Sequence, residues 1–157
     1  MDVRSRYNRG MRGAVVQILA AVGLGVMATG CATIHPPTGV PQAERTVLTT
    51  GYCACQQCCG WHRNWLGRPV YSAGPLRGQH KTVGSTASGS RARHGTIAAD
   101  TSRYPFGTVF YVPSYGYGRV EDRGGDIKGD HIDLFFERHR EALEWGRRYR
   151  QVRIWYP

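Results

Sequence analysis

Of the four aspartates in the run Val120–Phe136, VEDRGGDIKGDHIDLFF, two stand at a spacing that suits proton transfer. Asp133 stands inside the apolar segment Ile132–Phe136, and Asp122 lies eleven residues upstream at the end of another β-like run. An unpaired carboxylate in an apolar strand is costly, so Asp133 must either be paired or hold a proton. Side chains alternate along a strand, which puts His131, Asp133 and Phe135 on one face and Ile132, Leu134 and Phe136 on the other. The intervening RGGDIKG is turn material, so two strands joined by it can bring Asp122 and Asp133 together. Two carboxylates in a cleft of low dielectric do not ionise together easily, which raises one pKa and makes a proton donor near neutral pH. Cleavage of a glycosidic bond needs such a donor. Spacing alone favours aspartates that cap turns or pair with Lys128 and nearby arginines. Asp126 and Asp130 read as solvated turn residues.

The elements that must hold these groups are short. A β-branched stretch opens the fold near Thr46, and GTIAAD, then RYPFGTVFYVPSYGYGRVEDRGG, alternate β-rich runs with Pro and Gly. That punctuation predicts a small, mainly β, barrel-like domain. ERHREALEWGRR predicts one short helix ending at Gly146, and RYRQVRIWYP a closing strand with Val152, Ile154 and Tyr156 on one face. Residues 60–95 show turn dipeptides and little apolar pattern, and long loops of this kind tend to be functional.

The ordered set GTIAAD, PFGTVFYVPSYGYGRVEDRGGDIKGDHIDLFF and HREALEWGRR resembles the three-aspartate (3D) domain, found in stationary-phase survival proteins and in the catalytic part of the membrane-bound lytic transglycosylase A type. With TASGSRARHGT and YCACQQCCG upstream, the resemblance extends from about Thr46 to Tyr156. It implies a six-stranded double-psi β-barrel with one short helix before the last strand, within the RlpA-like superfamily. It also implies non-hydrolytic cleavage of the MurNAc-GlcNAc bond of peptidoglycan, with no cofactor and no metal. The aspartates that name the family fall on Asp100, Asp122 and Asp133. On that resemblance Asp133 is the acid and base, Asp122 tunes its pKa, and Asp100 holds the site or the sugar. Thr86, Ser88, Gly89, Lys128 and His131 are the expected substrate-binding residues. The chain lacks the second domain with which the larger transglycosylases close over the glycan, which leaves a binding-only role open.

Cys53, Cys55, Cys58 and Cys59 form C-x-C-x-x-C-C. Outside the cytoplasm the redox balance favours two disulfides among them, and a zinc site of four thiolates is the second reading. The six histidines show no ligand pattern, and only His131, on the face of Asp133, draws attention.

Arg4, Arg6, Arg9 and Arg12 precede the apolar run Ala14–Ala28 and a small-residue exit before Cys31, an arrangement that resembles a bacterial lipoprotein signal. The expected organisation is a signal peptide over 1–30, a lipid-anchored Pro-rich tether over 31–45 and the 3D domain over 46–157. Cys31 would carry the lipid, and Ala32, where an inner-membrane retention signal has aspartate, implies an outer-membrane lipoprotein facing the periplasm. The formal charge of +10 falls to +7 once residues 1–30, with four Arg and one Asp, are removed. For an exported chain that charge suits an anionic polymer such as peptidoglycan glycan strands rather than nucleic acid. A monomer is expected.

Overall fold

The structure is a computed structural model that describes residues 34–157. The expected signal peptide and Cys31, the expected site of the lipid, lie outside the described residues. Eight strands and two helices follow in the order β1 (Ala43–Tyr52), α1 (Gln56–Cys59), β2 (Trp61–Arg63), β3 (Pro69–Tyr71), β4 (Thr96–Ala99), β5 (Val109–Val112), β6 (Gly116–Asp122), β7 (His131–Phe135), α2 (His139–Trp145) and β8 (Arg148–Trp155). Six of the strands close a barrel in the order β1-β7-β4-β6-β5-β8, with β8 returning to β1. The β1/β7 and β4/β6 pairs are parallel and the other four are antiparallel. This is the expected six-stranded barrel, with a helix before its last strand.

Alternation builds the interior. Val47, Ile97, Phe110, Val120, Ile132, Leu134, Val152 and Ile154 all point inward and are fully buried. The Tyr115 hydroxyl ties β7 to the loop before β4 by donating to Phe135 O at 2.8 Å and accepting from Gly95 N–H at 2.9 Å. Helix α2 lies directly on β1, and Gly51 permits the approach: a Cβ there would stand 2.8 Å from the Ala142 carbonyl oxygen. Trp145 completes the contact by donating its indole N–H to Thr49 Oγ1 at 3.1 Å.

Three details depart from the sequence reading. Strand β1 starts at Ala43 rather than near Thr46, and the segment before it lies along the barrel. Ile34 is buried against Val109 and Trp155, and Trp155 Nε1 donates to Gly39 O at 3.2 Å. The reason is an outward aromatic stripe, Tyr111, Tyr117 and Trp155, which needs a cover. Residues 60–95 are not wholly irregular either, because β2 and β3 form a two-stranded ribbon whose turn is organised by Asn64 Oδ1 accepting from the N–H groups of Leu66 and Arg68. Lastly, α1 adds a single helical turn within the cysteine cluster, stopped by Gly60 in the left-handed conformation.

Candidate active site

Register places four residues in one row across the outer face of the barrel. Thr50 on β1 pairs with Asp133 on β7, Asp133 with Ala98 on β4, and Ala98 with Asp122 on β6. Adjacent strands lie ~4.8 Å apart, so the two aspartates flank the small Ala98 at a backbone separation of roughly 10 Å, and only a methyl group stands between them. Asp122 reaches this face because of an irregularity. Ile97 pairs with Val120 but Ala98 pairs with Asp122, so Glu121 is an extra residue in β6. The bulge leaves Val120 pointing into the core and turns Asp122 outward beside Ala98, the side-chain re-aiming for which bulges are known.

The row opens on a cleft of about 660 Å³, lined on the barrel side by Tyr52, Ala98, Asp122, Asp133 and Phe135. Opposite them stand the ribbon and the 80s loop, with Tyr71, Lys81 and Thr86. Thus much of the segment read as irregular is a wall of the cleft. Lys81 Nζ lies 4.3 Å from the Tyr71 ring centroid, which sets a cation on that wall.

The two carboxyls differ in surroundings. Asp122 accepts from the Tyr52 hydroxyl at 3.1 Å, from Ala87 N–H at 3.0 Å and from Arg123 N–H at 2.9 Å. Burial pushes the Tyr52 hydroxyl far above its usual range, with Asp122 adding to the effect, so Tyr52 keeps its proton for that bond. Asp133 accepts one side-chain bond, from Thr50 Oγ1 at 2.7 Å. Burial pushes its carboxyl up to about 6; the Thr50 bond opposes this and the neighbouring Asp122 reinforces it. Thr50 also meets His131 Nε2 at 2.9 Å. Its single hydroxyl proton is committed to Asp133, so the second contact is a hydrogen bond in the His131 tautomer that carries the proton on Nε2. Burial, followed by the Arg147 charge, holds the His131 pKa down. The chain His131–Thr50–Asp133 therefore fixes the carboxyl in place. Replacing Thr50 with Val should move the Asp133 titration upward by about one pH unit, since a hydrogen bond to the charged form is lost. A carboxyl-carbon NMR titration measures this, and an unchanged or lowered midpoint would sink it.

The other expected site residues are placed as follows. Asp100 does not line the cleft. It accepts from the Ser102 hydroxyl at 2.6 Å and from the N–H groups of Ser102 and Gly129, and these bonds, that of the Ser102 hydroxyl foremost, lower its carboxyl to about 2. Asp100 thereby ties the end of β4 to the loop that leads into β7. Thr86 lines the cleft, buried, with its hydroxyl engaged by Ser88 and Ser90, whereas Ser88, Gly89, Lys128 and His131 lie outside the lining. Asp130 is less free than a solvated turn residue, since it accepts from the Tyr104 hydroxyl and pairs with Arg103 at 2.8 Å. Thr50, Tyr52, Ala98 and Glu121 went unnoticed in the sequence.

The cysteines differ from the reading that favoured disulfides: all four described thiols are unpaired. Cys53, Cys55 and Cys58 converge on Nδ1 of His139, at the start of α2, while Cys59 turns away to donate to Cys53 O at 3.2 Å. Burial pushes the Cys59 thiol up to about 11, which makes it a poor nucleophile although it lines the cleft.

Among known protein families, the model described as the 3D domain matches residues 95–156, a stretch that runs from β4 through β8 and holds Asp100, Asp122 and Asp133. Residues 95–156 form a 3D domain. The 3D domain so matched starts after the cysteine cluster, so β1 and the 60–95 wall lie outside it although they complete the barrel and the cleft. Two similar proteins of Bacillus subtilis are YabE, 35% identical over 75 residues, and the cell wall-binding protein YocH, 38% identical over 58 residues. The matches take in 45% and 37% of this chain but only 18% and 20% of those proteins. Among solved structures, one of MltA from E. coli has a TM-score of 0.39 at 24% identity, covering 46% of this chain and 28% of that one. Another, described as revealing a unique lytic transglycosylase fold, has a TM-score of 0.40 at 23% identity, covering 52% and 30%.

Proposed function

We propose that this chain is a peptidoglycan-cleaving lytic transglycosylase that cuts the MurNAc-GlcNAc β-1,4 bond and leaves a 1,6-anhydro end. The observation that carries the reading is the Asp133 carboxyl, raised to about 6 at an open cleft and held by Thr50 beside Asp122. At mildly acidic pH, Asp133 holds the proton that a departing sugar oxygen needs. Once that proton is given up, the same carboxylate takes the proton of the 6-hydroxyl of the MurNAc residue, whose oxygen closes on the anomeric carbon. The C1–O4 bond breaks, a C1–O6 bond forms, and the proton count on Asp133 is restored without water entering the products. Asp122 steadies the positive charge that develops on the ring, and Asp100 acts at a distance by holding the loop before β7.

The names of the relatives agree with a cell-wall polymer as the target, since YocH is called cell wall-binding and YabE is named for cell wall shaping. Digestion of purified sacculi by the protein, with reduction and mass analysis of the soluble products, tests the reading. Anhydro-muropeptides are expected. Sacculus binding without any anhydro product would replace the enzyme with a binding module.

The same reading puts the domain at the outer membrane, held by a lipid on Cys31 and facing the periplasm, with the glycan as its partner. The basic run, apolar run and ATGC exit support this. Cys31→Ser should move the protein into the soluble periplasmic fraction, and persistence in the membrane pellet without detergent would end the anchor proposal.

A further inference from the structure

We propose that Cys53, Cys55, Cys58 and His139 bind one zinc ion in a closed structural site that fastens the turn after β1 to the first turn of α2. This inference stands apart from the glycan chemistry and does not rest on it. It begins from a mismatch in hydrogen bonding. Three thiols surround the single ring nitrogen Nδ1 of His139, at 3.7 Å from Cys53, 3.5 Å from Cys55 and 3.4 Å from Cys58. A neutral imidazole nitrogen offers one lone pair, so at most one thiol can donate to it. A metal cation at the centre would satisfy all four atoms together.

The spacing fits such an ion. With Zn–S at about 2.3 Å and Zn–N at about 2.05 Å, a regular tetrahedron has S···S edges of ~3.8 Å and S···N edges of ~3.6 Å. The Cys53 and Cys58 sulfurs lie 3.8 Å apart, and all four ligand atoms lie within 4.8 Å of one another. A disulfide would need sulfurs at about 2.05 Å. The backbone supplies further support, because Cys58 N–H points at the Cys55 sulfur at 3.4 Å, a contact that suits a thiolate better than a thiol.

The donor set selects the ion. Three thiolates and one imidazole, four-coordinate, favour zinc over hard cations. The protein fills all four positions, so no place is left for water or substrate, which is the mark of a structural rather than a catalytic site. Binding is an acid–base event without electron transfer: three thiol protons leave as Zn²⁺ enters, and the site ends at a charge of −1. Cys59, adjacent in sequence, is not a ligand. Cys58 and Cys59 both line the cleft, so the ion would brace the wall that faces Asp122 and Asp133.

The test uses the full chain purified without chelator. Native mass spectrometry should show one zinc per chain, and Co²⁺ exchanged into the site should give visible d–d bands of tetrahedral cobalt with a sulfur-to-cobalt charge-transfer band. Chelation should lower Tm. His139→Gln should weaken zinc binding by at least about tenfold, whereas Cys59→Ser should keep one zinc and the cobalt spectrum; both positions are half-buried, so neither change empties the core. An intact mass about four hydrogens short, as two disulfides require, would overturn the proposal. So would four alkylatable thiols in folded, metal-free protein that takes up no cobalt, or loss of the zinc in Cys59→Ser.

Discussion

Asp133→Asn should abolish the release of 1,6-anhydro products, by about 10²–10⁴-fold, while making the fold more stable at neutral pH. The amide keeps the size of the carboxyl and can still accept from Thr50, but it can neither give a proton to a leaving oxygen nor take one back. The stability effect follows from where the group titrates. In the unfolded chain Asp133 ionises near 3.8, whereas in the fold its carboxyl is held up to about 6. Below pH 3.8 both states are protonated and the group favours neither. As pH rises through 6 the fold must accommodate a buried carboxylate that the unfolded chain would solvate, at a cost of about 3 kcal/mol. The variant escapes that cost. Denaturant unfolding of both proteins at pH 4 and pH 7 should show little difference at the first and a clear gain for the variant at the second. Asp122→Asn removes a charge that helps hold Asp133 up, so it should lower the pH at which activity is lost and reduce the rate less. If Asp133→Asn digests sacculi at the wild-type rate, another residue is the acid.

Glu121→Ala should destabilise the domain by about 3 kcal/mol, a large share of the 5–15 kcal/mol that holds most domains together. Glu121 is the extra residue of the bulge in β6, and its buried carboxylate is an anchor. It accepts from Thr96 Oγ1 at 2.9 Å and from the two Arg93 guanidinium nitrogens at 3.2 and 3.3 Å. Ser90 reaches it as well, and its own carbonyl accepts from Ser88 N–H at 3.0 Å. Truncation leaves the buried Thr96 hydroxyl proton without an acceptor and removes the hold on the Arg93 and Ser90 side chains, while the backbone bond from Ser88 N–H stays. The 86–93 segment carries Ala87, whose N–H holds Asp122. A drop in the urea midpoint with an unchanged slope would support the anchor, and Glu121→Gln, which keeps the shape and part of the bonding, should lose less. A midpoint for Glu121→Ala within error of wild type would refute it.

How much of this was legible beforehand depended on the distance over which each feature is determined. The outward direction of Asp133 and the inward directions of Ile132 and Leu134 follow from strand alternation, a rule that acts within a few residues, and they are as expected. Asp122 was found by its turn context, but its aim depends on the bulge at Glu121, and nothing in VEDRGG announces one extra residue. Thr50 and Tyr52 are invisible in the sequence because their partners lie 83 and 70 residues away, Asp133 across the parallel β1/β7 pair and Asp122 further round the barrel on β6, neither of which turn signals encode. The place of His139 beside the cysteine cluster is hidden for the same reason, since it is 81 residues beyond Cys58 and no local spacing encodes it. Asp100, expected to hold the site or the sugar, clamps the loop before β7 by accepting from Gly129 N–H.

The pairing of β1 also has a kinetic consequence. Its two edges are hydrogen-bonded to β7 and β8 alone, strands that begin at His131 and Arg148. While the chain is being made, residues 43–52 wait with both edges open until some eighty to a hundred further residues are available, and the loop closure that joins them is long. The sheet cannot be completed from its N-terminal part. Closure of this barrel therefore waits until β8 has left the ribosome.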